Sequence, residues 1–232
     1  MKIGVIDYGM GNLFSVEQAL KRLGCEVIVT AQEQELDKAD ALLLPGVGAF
    51  PDAMKRLAET KLDSYLQKVQ AEHRPLLGIC LGMQCMVIEF ARNVLGYADA
   101  NSTEMEVSTK HNVIDLMESQ KSVSNMGGTM RLGEYDCVLD PDSKTAKAYQ
   151  STHIKERHRH RFEFNSDYRA EFEAAGMKCV GENPETHLVE VVEIPSLSWF
   201  IGVQYHPEYN STVLRPNPLF IDFIKAVIKN KK

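Results

Sequence analysis

The string Gly78-Ile79-Cys80-Leu81-Gly82 constrains this chain more than any other. It follows the apolar run Pro75-Leu76-Leu77 and precedes a segment of helical character over 83–94. That order predicts a strand, a sharp turn and a helix, with Cys80 at the apex. Backbones touch in so tight a turn, so a Cβ at Gly78 or Gly82 is expected to clash. The turn lifts the Cys80 side chain above the sheet. The helix that starts there aims free N–H groups and its positive dipole end at the sulfur, which favours a thiolate. A cysteine so placed is a candidate nucleophile for a carbonyl carbon.

A thiol nucleophile needs a base, and the base needs an orienting acceptor. His206-Pro207-Glu208 follows a strand-like run over 199–205. In extended backbone, residues i and i+2 share a face, so His206 and Glu208 are expected to point together toward Cys80, with Pro207 stiffening the step. Acyl transfer also needs N–H donors for the developing oxyanion. Leu81, the residue after the nucleophile, offers one. The loop Pro45-Gly46-Val47-Gly48 ends the apolar run over 41–44 and offers the second. Its glycines let the Val47 peptide turn inward, and sites of α/β sheets gather at the carboxyl ends of strands.

The first half of the chain alternates elements. Strands are predicted over 3–7, 27–30, 41–44 and 76–80, with helices over 13–23 and 51–70, the latter opened by Pro51. This alternation implies a largely parallel sheet with helices on both faces, and right-handed crossovers put the loops after the strands along one edge. Residues 97–127 read as polar loop apart from a strand near 113–116. Further strands are expected over 129–132, 136–139, 162–165, 177–181 and 188–193, a short helix over 168–175, and a closing helix over 218–228. No internal repeat or Gly/Ser linker divides the chain, so residues 1–232 read as one domain.

The chain has 232 residues, 44% of them hydrophobic, and a net charge of −6. That length supports a full core, and the acidic balance argues against a general nucleic-acid binder. No apolar run reaches membrane-spanning length and the N-terminus opens directly into a strand pattern, so neither a membrane span nor a signal peptide is expected. Five cysteines (Cys25, Cys80, Cys85, Cys137, Cys179) without C-x-x-C spacing point to a reducing, cytoplasmic setting. Cys25, Cys137 and Cys179 are expected as buried apolar groups, and Cys85 as a packing residue on the elbow helix. In the charged run 155–161, His158 and His160 share a strand face, but no third ligand has matching spacing, so no metal is expected.

Together, Gly78-Ile79-Cys80-Leu81-Gly82-Met83-Gln84 and His206-Pro207-Glu208 resemble the signature of class I (triad) glutamine amidotransferases, across essentially the whole chain. Residues 1–84 resemble the glutaminase subunit of imidazole glycerol phosphate synthase, through Ile6-Asp7-Tyr8-Gly9-Met10-Gly11-Asn12-Leu13 and Leu44-Pro45-Gly46-Val47-Gly48-Ala49-Phe50. From 85 onward the chain is similar to the glutaminase domain of CTP synthase, through Asn101-Ser102-Thr103-Glu104, Gly127-Gly128-Thr129-Met130-Arg131-Leu132-Gly133 and Glu156-Arg157-His158-Arg159-His160-Arg161-Phe162. A switch at the shared motif is what a chimera would show, with a fusion junction near 77–86.

The resemblance implies a three-layer α/β/α, flavodoxin-like fold around a mostly parallel sheet. It implies that Cys80, His206 and Glu208 form the triad, that Leu81, Val47, Gly46 and Gly48 build the oxyanion hole, and that Gln84, Glu104 and Arg161 bind the substrate. That substrate is L-glutamine, hydrolysed to glutamate and ammonia through a γ-glutamyl thioester without a cofactor. The ammonia passes to a partner synthase of histidine or pyrimidine biosynthesis. In the histidine-pathway relatives the oxyanion strand switches on when the synthase docks, so a latent or silent module that docks a synthase is the alternative. A γ-glutamyl peptidase on a related fold is a third reading.

Overall fold

The computed structural model describes residues 1–9, 11–47, 60, 62–116 and 130–230. Its first half follows the expected alternation. Strand β1 (Lys2–Ile6) leads to helix α1 (Leu13–Arg22), β2 (Glu26–Thr30), the one-turn α2 (Glu33–Leu36) and β3 (Ala41–Leu44). Then come α3 (Leu62–Ala71), β4 (Leu76–Ile79) and α4 (Leu81–Asn93). Helix α1 starts where Asn12 Oδ1 accepts from the Ser15 amide, and ends with Lys21 and Arg22 in its last turn, where cations meet the negative end of the dipole. The second half holds β5 (Ile114–Leu116), β6 (Arg131–Leu139), α5 (Lys144–Tyr149), β7 (His153–His160), β8 (Phe162–Phe164), α6 (Arg169–Ala175), β9 (Lys178–Glu182), β10 (Val189–Glu193), β11 (Phe200–Val203) and α7 (Pro218–Asn230).

Among the described residues, nine strands form one sheet in the order β2-β1-β3-β4-β11-β10-β9-β6-β7. β2, β1, β3, β4 and β11 pair in parallel, and the continuation through β10, β9, β6 and β7 is antiparallel. The sheet is therefore mixed and mostly parallel, as expected. β5 and β8 form a separate antiparallel pair.

Strand residues alternate between two cores, as a period of two requires. Leu42, Leu44 and Leu76 pack on one face with Leu62, Leu66 and Val69 of α3, the buried length of α4, and Phe172 of α6. Ile3, Val5, Leu43, Leu77 and Ile79 pack on the other with Val16 and Leu20 of α1 and with Leu219, Phe220 and Phe223 of α7. These two cores make the three layers. Fully burying each such side chain contributes about 1.5–3 kcal/mol, and Phe223→Ala would cost about 3–5 kcal/mol because the cavity adds to the lost transfer.

Several expectations are corrected. The two strands predicted over 129–132 and 136–139 are one strand, β6, which pairs with β7 through Gly133 opposite His158; Thr129 lies outside the described residues. Of the helix predicted over 51–70, residues 51–59 also lie outside them; Thr60 is in a turn and α3 begins at Leu62. The helix over 168–175 is a 3-10 turn (Ser166–Tyr168) running into α6. Helices α2 and α5 were not anticipated.

Candidate active site

β1, β3, β4 and β11 lie side by side and parallel, so their carboxyl ends deliver Tyr8, Pro45, Cys80 and His206 to one edge of the sheet. At that edge β4 turns sharply into α4. Cys80 sits at φ 53° and ψ −107°, a region that L residues seldom occupy. Its amide donates to the Val203 carbonyl of β11 at 2.7 Å, and its carbonyl accepts from the Gln84 amide of α4 at 3.2 Å, so the neighbouring strand and the following helix hold the strained residue. The glycines are needed for the close approach. A Cβ on Gly82 would lie 2.0 Å from the Leu44 carbonyl oxygen, and one on Gly78 would lie 2.3 Å from the Met86 sulfur.

His206 follows β11, and its amide donates to the Arg157 carbonyl of β7 at 2.8 Å. Its ring stacks on Tyr209 at 4.6 Å between centroids. Nδ1 lies 2.8 Å from Glu208 Oε1, and both side chains are buried. The expected extended geometry is corrected here. Pro207–Tyr209 is a 3-10 turn, and the turn rather than a shared strand face brings Glu208 to the imidazole. His206 Nε2 makes no hydrogen bond of regular geometry, yet the Cys80 sulfur is the strongest influence raising this group. Resting catalytic contacts are commonly long. Burial pulls the imidazolium down, but Cys80 and then Glu208 outweigh it, and the group is pushed up to about 11.

Beside the sulfur lies a cavity of about 380 Å³ lined by Cys80, Leu81, Val47, Gln84, Glu104, Arg161, His160 and Phe162, among others. That is the lower end of the range for small-molecule sites. It brings together five residues singled out beside the nucleophile: Leu81, Val47, Gln84, Glu104 and Arg161. Gly46 is off the cavity, under the elbow: a Cβ there would lie 2.4 Å from Leu81 Cβ. Gly48 lies outside the described residues. His206 and Glu208 are not among the residues that line it.

Sequence reasoning passed over Gln204. Its Nε2 donates to Cys80 Sγ at 3.6 Å, and its Oε1 accepts from Gln84 Nε2 at 3.2 Å. Gln204 directly follows β11, two residues before His206, and carries no motif that marks it in the sequence. His158 and His160, expected on one strand face, are buried with ring nitrogens 2.7 Å apart. They lie among Arg131, Glu163 and Glu190, and no group of three potential ligands among the described residues is arranged to hold a metal. Cys25, Cys85, Cys137 and Cys179 are buried and unbridged. No helix of the described residues is long and apolar enough to cross a membrane.

The parallel sheet edge, the strained cysteine at a strand-to-helix elbow and the buried His–carboxylate pair define an α/β protein with an elbow thiol site. The sequence matches the family "Glutamine amidotransferase class-I" over residues 4–226, and the chain belongs to that family. It is 70% identical over 162 residues to CTP synthase of Bacteroides fragilis, covering 69% of this chain and 30% of that protein. It is 55% identical over 213 residues to CTP synthase of Porphyromonas gingivalis, covering 91% of this chain and 39% of that protein. The chain thus spans well under half the length of these relatives. The glutaminase domain of Trypanosoma brucei CTP synthase, solved with bound acivicin, superposes with a TM-score of 0.85 at 30% identity, covering 99% of this chain and 94% of that one.

Proposed function

We propose that this chain is a glutaminase that hydrolyses the side-chain amide of L-glutamine to glutamate and ammonia. The observation that carries the proposal is the grouping of Cys80, Gln84, Glu104 and Arg161 around one cavity, with the His206–Glu208 pair close to the sulfur. A zwitterionic amino acid needs an acid for its ammonium and donors for its carboxylate. Glu104 supplies the first and Arg161 the second, with Gln84 as a further contact.

In this mechanism the Cys80 thiolate attacks the amide carbon. The N–H groups of Leu81 and of the Gly46–Val47–Gly48 loop hold the oxyanion. The C–N bond breaks as the His206 imidazolium gives its proton to the departing nitrogen, leaving a γ-glutamyl thioester and ammonia. Neutral His206 then takes a proton from water as the water attacks the thioester. Glutamate leaves, and thiolate and imidazolium are restored. Glu208 keeps the imidazole in one tautomer. No step calls for a cofactor. The likeness to CTP synthases supports an ammonia-accepting synthase as partner, within a longer protein or as a separate subunit, and cytoplasmic pyrimidine metabolism as the setting.

Acid-quenching the protein during turnover tests this directly. Intact-mass and peptide analysis should find a glutamyl adduct on Cys80. Turnover with no adduct on Cys80, or with an adduct on another cysteine, contradicts the mechanism.

A second reading rests on the loop Pro45-Gly46-Val47, whose counterpart in the histidine-pathway relatives waits for a docked partner. On this reading the isolated chain is latent. A fusion near 77–86 is less well supported, because a 213-residue match to one CTP synthase must take in most of the first 84 residues. Reading the gene at its native locus tests it: an uninterrupted natural gene rules the fusion out.

A further inference from the structure

Gln204 is fully buried and joined to the nucleophile by a short polar chain. The polarity of that chain is fixed at its far end. The Phe162 carbonyl can only accept, so the Gln84 amide nitrogen must face it, and does so at 2.9 Å. The second hydrogen of that nitrogen meets Gln204 Oε1 at 3.2 Å. With its oxygen so engaged, Gln204 presents Nε2 to Cys80 Sγ at 3.6 Å, within reach of a donor to the large sulfur atom. The backbone adds stiffness, because the Gln204 amide donates to the Glu190 carbonyl of β10 at 2.8 Å. Phe162 lines the cavity beside Arg161, so the chain runs from the cavity wall to the sulfur.

We propose that Gln204 is a further catalytic residue of this site: its side-chain N–H donates to the Cys80 thiolate, and the Phe162–Gln84–Gln204 chain holds it in that orientation. The inference rests on the reading of Cys80 as the nucleophile. A hydrogen bond to an ionised acceptor is stronger than one to a neutral acceptor, so Gln204 favours the thiolate over the thiol. It serves twice, before attack and when the thioester breaks and sulfur leaves as thiolate. No proton is transferred by Gln204 at either point. The same chain commits both Gln84 N–H groups, leaving only its carbonyl oxygen for a substrate donor.

The test is the pH dependence of Cys80 alkylation by iodoacetamide, read by peptide mapping because four other cysteines are present. It compares the parent with Gln204→Met and Gln204→Glu. Gln204→Met removes the donor at similar length, and Gln204→Glu puts a carboxylate beside the sulfur. Both should move the midpoint of the alkylation profile upward, by about one pH unit in the methionine variant and further in the glutamate variant, which is about a tenfold slower reaction below the midpoint. Two folded variants with the parent midpoint overturn the proposal. The parent needs no variant for a second readout: its Gln204 side-chain amide resonances should shift with the alkylation midpoint, and resonances that stay fixed also overturn it. If Cys80 in the parent resists alkylation at every pH, the nucleophile reading itself fails. A reactive Cys80 with an unmoved midpoint fails Gln204 alone.

Discussion

The Tyr8 hydroxyl donates to the Pro45 carbonyl at 2.6 Å, joining the end of β1 to the loop after β3. A peptide unit is planar and trans, so pinning the Pro45 oxygen fixes the Gly46 N–H in the opposite direction. Burial, and then the nearby Cys85 and Cys80, push the Tyr8 phenol well above its usual range, so it remains a donor. Tyr8→Phe is expected to lower kcat about tenfold with little change in KM, a fraction of the loss seen when an oxyanion donor is removed outright. It should also cost about 1–3 kcal/mol for the unpaired carbonyl. Steady-state kinetics with urea unfolding check both, and an unchanged kcat would detach Tyr8 from the oxyanion loop.

Cys80 holds a positive φ that glycine adopts freely and that a residue with a Cβ, cysteine or alanine, adopts only at a cost. Such strain costs about 1–3 kcal/mol. Cys80→Gly should therefore unfold at higher urea than Cys80→Ala, by about 1 kcal/mol after glycine's added unfolded-state entropy is counted. Equal midpoints would show that the elbow is relaxed.

Gly82→Ala should destabilise by about 3 kcal/mol or more, or leave the chain unfolded, because its Cβ would meet a backbone oxygen rather than a movable side chain. Gly24→Ala gives a contrast, since open space surrounds that position and only its φ of +81° opposes a side chain. Thermal melts of both variants separate steric from conformational cost, and a smaller loss at Gly82 than at Gly24 would contradict the close approach of α4 to β3.

The raised His206 has a stability consequence with a definite sign. Its folded value near 11 lies above the unfolded value near 6.5. Its contribution is complete below about pH 6.5 and is lost as pH rises toward the folded value. Over about pH 7–8.5 the group should take away about 1.4 kcal/mol per pH unit. Burial also raises Glu163 well above its usual range, and that carboxyl acts in the same direction, while in the proposed ion pair the proton taken up by His206 is the one given up by Cys80, which offsets the slope, so the useful reading is the imidazole ring itself. Ring-proton NMR shifts of His206 should therefore show no midpoint between about pH 6 and 8.5. A ring midpoint near the free value would mean that His206 is not held as an imidazolium by Cys80 and Glu208.

Much of the site was legible because its constraints are local. The two glycines flanking Ile79-Cys80-Leu81 announce the turn, and β3 lies over the same four residues as its apolar run. What stayed hidden depends on partners distant in sequence. In β7, Glu156, His158 and His160 point inward while Lys155, Arg157 and Arg159 point out. An inward face of polar residues reverses the hydrophobic alternation on which strand assignment rests, and partners from other elements explain it: Arg131, Glu163 and Glu190 for the histidines, and Tyr149, Asn210 and Asn217 for Glu156. Gly133 lies between the two strands expected over 129–132 and 136–139, yet pairing along β7 carries β6 straight through it. Helix α5 is six residues long with a Ser143 cap, too short to show a period. Gln204 has no motif of its own and acquires a role only because β11 lies beside β4.

Glutamate release from L-glutamine by the purified chain, beside Cys80→Ala, tests the central claim most directly. The account predicts turnover in the parent and none in a variant whose fold is intact by circular dichroism. Equal release from both would contradict it, because hydrolysis would then proceed without the sulfur that the elbow, His206 and Gln204 surround.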